Sequence, residues 1–553
     1  MIGFHIDMNV NEFTREYLEK WLKTLADIGY DTVVWEMEEN VQWETAPPCA
    51  SPEAFSKAEF KEILKFSADL GMENVPFLQT LAHCEYVLKH EAYNHLSTQE
   101  GGFDMYDPMN PDVVPFLHKW IDEIIEMFGD VKHFNIGGDE CWWLGKNDAQ
   151  KEFIEKHSKS ELYIRHINAV AEPLLKRGIA PVIWGDMVLG YPEALEKLSR
   201  KIEIWNWTQE AYDANPRILI WSEGMFVKDE IPEHIKERFG KALFPHGDSD
   251  GRQINQFYGE DYLAAKDFKT ATAPASCCWL DNIFCPRTWI RMVTSFEGMR
   301  KGILSEHLIG TELLSWTVHT YPYELQFPCI EIPSFIREYP DQPIEAYMHY
   351  LVEKHFDIED DGTFWEACEL VSKRCLFTSN TWLGLMKHKT MPPPDYAELA
   401  IAKLSSGGEH YAMRQGEKAL EAELRNCRGR QAEYEQAIQL FKKFARKAKK
   451  GQEELDAWIL AARNLANRAK VSSILIQSYR GDQLHPAFPL GGLMPAKPGA
   501  FKDEAVKILE EMRQLRDETD AAYAFMLEPK RRAEIMHWIY GTIENAMKKV
   551  VGE

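Results

Sequence analysis

The sequence has little that would draw it to a polyanion. Lys and Arg number 63 against 87 Asp and Glu, a formal net charge of −24. Neither nucleic acid nor an anionic membrane surface attracts such a chain. No apolar run approaches the roughly 20 residues of a membrane-spanning helix. The opening Met1-Ile2-Gly3-Phe4-His5-Ile6-Asp7 reads as a strand rather than a secretory leader. Cysteine is sparse and scattered, 10 residues in 553, with no CxxC pair and no histidine cluster at ligand spacing. That excludes a disulfide framework and a structural zinc site, and reduced thiols in a cytoplasm are expected. No glycine-rich phosphate loop follows the first strand, which argues against an open dinucleotide-binding sheet. Neither metal nor cofactor is implied.

What is present is a long chain of globular composition, 45% hydrophobic and 27% charged, enough for two or three domains. Up to about residue 320, β-type runs alternate with amphipathic helical stretches. The runs are 3–8, 32–38, 74–80, 132–137, 180–186, 202–207, 268–273 and 307–316. Eight strand–helix units in this length predict a (β/α)8 TIM barrel. A ninth run, 218–223, is surplus and reads as part of an inserted loop. Beyond residue 335 the β-type runs stop. Helical periodicity takes over at 346–356, 364–379, 417–449, 453–479 and 505–526. The division expected is a barrel over 1–335 and an α-helical C-terminal domain over 336–553. The charge runs of the latter read as solvated faces, with helix pairing in a homodimer as the alternative.

Polar and aromatic residues recur at the C-terminal ends of the strands, where barrel active sites lie. They include Asp7, Glu36, Glu38, Gln79, His83, Trp184, Asp186, Trp205, Trp207 and Trp316. The centre is His133-Phe134-Asn135-Ile136-Gly137-Gly138-Asp139-Glu140. In a regular strand, Asp139 and Glu140 would face opposite ways. Two glycines before them permit a bend that turns both carboxylates toward one opening. An exposed turn is the plain alternative for such a stretch, core packing for the tryptophans, and a helix N-cap for Asp186.

Four motifs in order carry a resemblance. Asn135-Ile136-Gly137-Gly138-Asp139-Glu140 resembles the fourth-strand signature of the family 20 glycoside hydrolases, the β-N-acetylhexosaminidases. Pro76 to His83, continuing through Glu85 to His90, is similar to a third-strand segment of one branch of that family. Val182-Ile183-Trp184-Gly185-Asp186-Met187 and Ser315-Trp316 resemble its fifth- and eighth-strand tryptophan segments. The resemblance implies a retaining reaction in which the substrate's own 2-acetamido group is the nucleophile, outside the usual two-carboxylate scheme. It implies Glu140 as acid and then base, Asp139 as the group orienting the acetamido N–H, and His83 as support for the acid. Asp7, Glu36, Gln79, Trp184, Asp186, Trp205, Trp279, Asp281 and Trp316 are the expected substrate contacts. The partner implied is an oligosaccharide or glycoside ending in N-acetylhexosamine.

The chain departs from the family pattern at three places. Asn135 stands where the family has histidine. No arginine follows the first strand at the position that grips sugar hydroxyls. Trp279-Leu280-Asp281 stands where the family has a Tyr-Leu-Asp segment, so an indole N–H would replace the phenol. Two other readings follow from these departures. One is a retaining glycosidase with Asp281 or Glu312 as a separate nucleophile. The other is a barrel that binds carbohydrate without turnover.

Overall fold

The computed structural model describes residues 1–99, 102–208, 217–220, 224–227, 233, 259–278, 281–316, 322–375, 378, 417–478 and 501–552. They fall into two compact units. The first takes Met1–Ser276, Arg291–Trp316 and Cys329–Gln342; the second takes Cys277–Ile290, Thr317–Pro328 and Pro343–Glu553. A single passage near residue 335 was expected, and the chain instead alternates between the units. Within the second unit Phe284 packs on Tyr540 and Phe327 stacks on His355, which groups those two segments with the helices.

In the first unit the strands are β1 (Ile2–Asp7), β2 (Thr32–Glu36), β3 (Glu73–Phe77), β4 (His133–Asn135), β5 (Ala180–Trp184) and β6 (Glu203–Thr208). A short antiparallel pair, β7 (Arg217–Ile220) and β8 (Gly224–Val227), forms a separate two-stranded sheet. It accounts for the surplus run, whose residues 221–223 lie outside the described residues. β9 (Thr270–Cys277) and β10 (Gly310–Ser315) complete a closed parallel barrel ordered β1-β10-β9-β6-β5-β4-β3-β2. The expected barrel is therefore observed.

Alternation of side chains sorts each strand into an outward and an inward set. On β2, Trp35 points out and meets Phe60 of the helix Lys57–Asp69 edge-on, while Val34 joins the barrel's interior cluster. That interior is fitted by size. Trp205 and Trp207 of β6 lie in register with Ala271 and Ala273 of β9, so methyl-sized neighbours leave room for two indoles.

One sector of the interior is polar instead. Gly3 of β1 is paired with Glu312 of β10, and a Cβ on Gly3 would lie 3.5 Å from that of Glu312. His5, two residues further along β1, puts Nε2 3.1 Å from Glu36 Oε2. Burial, chiefly, pushes the Glu312 carboxyl up to about 8, so it is neutral at pH 7. Burial works against a charge on His5, yet contact with Glu36 and the fields of Glu312 and Asp7 raise its pKa above the ordinary value.

The second unit is helical: Ile344–Phe356, Thr363–Val371, Glu417–Ala445, Gln452–Ser478, Lys502–Ala522, Pro529–Met536 and Thr542–Val551. The long pair packs aromatic residues inward, with Phe441 against Trp458 and Trp458 edge-on to Phe364. A π-helical turn, His537–Gly541, interrupts the last helices. Its Ile539 carbonyl accepts from the buried Arg468 guanidinium, which stacks on Phe284 and Tyr540. A π turn leaves a carbonyl without its usual helical donor, and Arg468 supplies one. Among the described residues no helix is long and apolar enough to cross a membrane.

The barrel's polar sector sets a pH dependence of stability. Between the usual carboxyl pKa of 4.5 and about 8, folded Glu312 keeps a proton that the unfolded chain has released. Stability must therefore fall as pH rises through that window, by on the order of a few kcal/mol. Glu312→Gln, with no charge to bury, should flatten the slope, gaining over the parent at pH 8.5 and not at pH 4.5. Urea unfolding at both pH values measures this; identical slopes for the two proteins would refute it.

Candidate active site

The site is built at the C-terminal end of β4. Past Asn135 the chain bends through Gly137 (φ +67°) and Gly138 (φ +88°), conformations an L side chain rarely adopts. Space also demands glycine. A Cβ on Gly137 would lie 2.1 Å from Gln79 Oε1, and one on Gly138 would lie 2.9 Å from the Tyr163 hydroxyl. The bend is held by specific bonds. Gly137 N–H donates to Asn135 Oδ1 at 2.8 Å, the Tyr163 hydroxyl donates to the Gly138 carbonyl at 2.8 Å, and Trp184 N–H donates to the Gly137 carbonyl at 3.1 Å. Asn135 thus clamps the bend itself, a task the sequence did not reveal.

Glu140 also has left-handed backbone (φ +47°), as do His83 (φ +56°) and Glu38 (φ +41°). Such conformations in residues with a Cβ cost on the order of 1 kcal/mol each and persist only where neighbours impose them. For Glu140 the neighbour is Asp186, whose carboxylate accepts the Glu140 N–H at 3.0 Å. Burial, then the nearby Asp139, raises the Asp186 pKa well above the ordinary carboxyl value. Asp186 lies in the first turn of the short helix Gly185–Gly190, with Trp184 at the N-cap position. Its Oδ2 holds the backbone of Glu140, while Oδ1 is buried with no hydrogen-bond partner among the described residues.

The two carboxylates converge on one imidazole. His83 Nε2 is 3.4 Å from Asp139 Oδ2 and 3.5 Å from Glu140 Oε2. Burial opposes a charge on His83, but Asp139 first and Glu140 and Asp104 after it raise its pKa well above the ordinary value. Glu140 is pushed up to about 7, by burial first; His83 works against that rise and Asp139 adds to it. The other Asp139 oxygen, Oδ1, is buried with no hydrogen-bond partner among the described residues. An acid poised near neutrality beside a carboxylate with an open acceptor is suited to proton donation.

Glu36 and Gln79 form the adjoining wall. Gln79 Nε2 donates to Glu36 Oε1 at 3.2 Å, and Glu36 is held from below by His5. Asp7 accepts the Asn9 N–H at 2.8 Å. Trp316, partly buried, meets Trp207 edge-on with ring centroids 5.5 Å apart.

Trp184 closes the bend through its backbone N–H. Its ring is buried in the interior cluster, edge-on to Phe77. Trp205 is a correction: it is fully buried, with its indole 3.4 Å from Glu203 and its ring 6.4 Å from His133. Both neighbours are the first residues of their strands, so Trp205 serves the opposite end of the barrel. Asp281 belongs to the second unit, where it is buried and accepts the Cys278 N–H. Trp279 lies outside the described residues. His5 and Trp142 are additions that the sequence did not suggest, the second because a tryptophan in a loop gives no sign of its exposure.

A family model described as glycosyl hydrolase family 20, catalytic domain, matches residues 9–221. Human hexosaminidase D is 27% identical over 227 residues, covering 39% of this chain and 46% of that protein. Its Bos taurus counterpart is 29% identical over 182 residues, covering 32% and 53%. The chain thus matches only about half the length of these curated relatives. A chitobiase from Flavobacterium johnsoniae is 15% identical with a TM-score of 0.47, over 99% of this chain and 77% of that one. The bend, both carboxylates and the imidazole all lie within the segment 9–221 that matches the glycosyl hydrolase family 20 model.

Proposed function

We propose that the chain is an exo-acting β-N-acetylhexosaminidase that releases terminal β-linked GlcNAc or GalNAc with retention of configuration. The observation that carries this reading is the convergence of Asp139 and Glu140 on His83 with one Asp139 oxygen left open. The acetamido oxygen of the substrate attacks the anomeric carbon while the Glu140 proton passes to the departing oxygen. Asp139 Oδ1 accepts the acetamido N–H, which orients the nucleophile and offsets the positive charge developing on the oxazolinium ring. Water then attacks the anomeric carbon, giving its proton to the Glu140 carboxylate, and the ring reopens. Water is the one co-reactant the cycle consumes.

The rival with a separate carboxylate nucleophile has weaker support. Glu312 is enclosed in the barrel interior and held neutral, and Asp281 is committed to a backbone amide. A binding barrel without turnover has no use for an acid raised to about 7. The ten cysteines are all free and buried, which favours a reducing compartment such as the cytoplasm for the reaction.

The test of function is a panel of 4-nitrophenyl β-glycosides with and without the 2-acetamido group. Cleavage confined to the N-acetyl sugars is the expected result, and equal cleavage of the plain glucoside would remove the acetamido mechanism. Glu140→Gln should lower kcat/KM on a poor leaving group by ~10²-fold or more. Asp139→Asn should cost ~10²-fold even with an activated leaving group, because it acts on the nucleophile. Parental rates in both variants would show that these roles are wrongly assigned.

The pH profile gives an independent check. Glu140 must be protonated to act as the acid, so kcat/KM should decline as pH rises through about 7. The charge on His83 holds that value down. His83→Gln should therefore lower activity and move the alkaline limb to higher pH. A limb that stayed in place or moved down would contradict the coupling.

A further inference from the structure

Two exposed tryptophans follow the acid directly. Trp142 is 42% exposed and Trp143 37%, in a loop where most large apolar residues are covered. Leaving such rings in water forgoes a large burial gain, so the loop holds apolar surface that folding does not use. Trp142 is not loose. Its backbone N–H donates to the Glu140 carbonyl at 2.7 Å, and its indole hydrogen-bonds the Glu140 carboxyl. One edge of the ring is thereby pinned to the proton donor while much of the ring stays open to solvent.

That placement has a consequence for the leaving group. On the reading of Glu140 as the acid, on which this inference rests, the departing oxygen sits against the Glu140 carboxyl. Whatever carries that oxygen lies within one ring's width of the indole. A gluco-configured pyranose presents a face of axial C–H groups, which suits a flat, electron-rich aromatic surface, whereas a short alkyl group covers little of it. We propose that Trp142 is the platform for the sugar ring on the leaving side of the scissile bond. The favoured substrates are then oligosaccharides whose terminal N-acetylhexosamine is β-linked to another pyranose. Trp142 is a specificity-determining residue in this scheme, and its bond to Glu140 keeps platform and acid in register.

The experiment compares two substrates on the full chain: N,N′-diacetylchitobiose and 2,2,2-trifluoroethyl N-acetyl-β-glucosaminide. Both need a proton from Glu140 to leave as alcohols, but only the first brings a ring. The parent should show the higher kcat/KM on the disaccharide. Trp142→Ala should reduce the disaccharide-to-trifluoroethyl ratio of kcat/KM by ~10-fold, mostly through KM. Trp142→Phe, which keeps a flat face without the indole N–H, should restore most of the ratio. An unchanged ratio in Trp142→Ala, with both substrates slowed alike, would overturn the platform and leave a residue that only positions Glu140, the glycosidase reading standing. Cleavage of neither substrate by the parent would overturn that reading and the platform together.

Discussion

Everything at the rim of this barrel depends on one imidazole being held between two carboxylates that are adjacent in sequence. Neighbouring residues on a strand diverge, and bringing Asp139 and Glu140 within 3.5 Å of the same His83 nitrogen requires the backbone to leave strand geometry at once. Two glycines supply that freedom, but freedom alone would give a floppy turn. The bend is fixed by bonds from three separate elements: Asn135 on β4, Tyr163 on the helix Lys159–Lys176, and Trp184 at the end of β5. The left-handed backbone of Glu140 is then locked by Asp186. Conformational cost at the site is met by packing and hydrogen bonds recruited from around the barrel.

The electrostatics follow from depth. Near the rim, an acid shares its surroundings with a cation and another carboxylate, and its proton affinity settles near neutrality. Deeper, burial first and then the charge of Glu36 raise Glu312 while the His5 imidazole works against them, and the carboxyl keeps its proton to about 8. Between them Glu36 links His5 to Gln79, and Gln79 in turn lies over Gly137. A continuous polar column therefore runs from the barrel interior to the bend. Its lower end is costly in an otherwise apolar interior, and its upper end gives Gln79 a fixed position against the glycine that no larger residue could occupy.

Much of this was legible in the sequence because it rests on local rules. Eight short buried runs separated by amphipathic helices can close in few ways, and the two glycines before two acids announce a bend with a purpose. What was not legible depends on height and direction within the barrel. The Trp-x-Trp pattern of β6 says that Trp205 and Trp207 share a face. It does not say that Trp205 reaches down to Glu203 and His133 while Trp207 reaches up to Trp316. Asp186 has the residue type and position expected of a sugar contact, and only coordinates reveal that one of its oxygens also holds the Glu140 amide. His5, one of alternating residues on a strand, shows its importance only when Glu36 and Glu312 arrive from two other strands.

The departures from the family pattern read differently once the geometry is known. Asn135 in place of histidine removes a ring from the end of β4, and its amide oxygen instead ties Gly137 two residues on. The bend is thus secured in part from within its own strand. The first arginine after β1, Arg15, opens the helix Arg15–Ile28 and pairs with Glu19 and Glu62, while the wall of Glu36 and Gln79 is backed by a buried His5. An arginine there would present donors only, whereas this wall presents a carboxylate acceptor whose negative charge is partly answered from below.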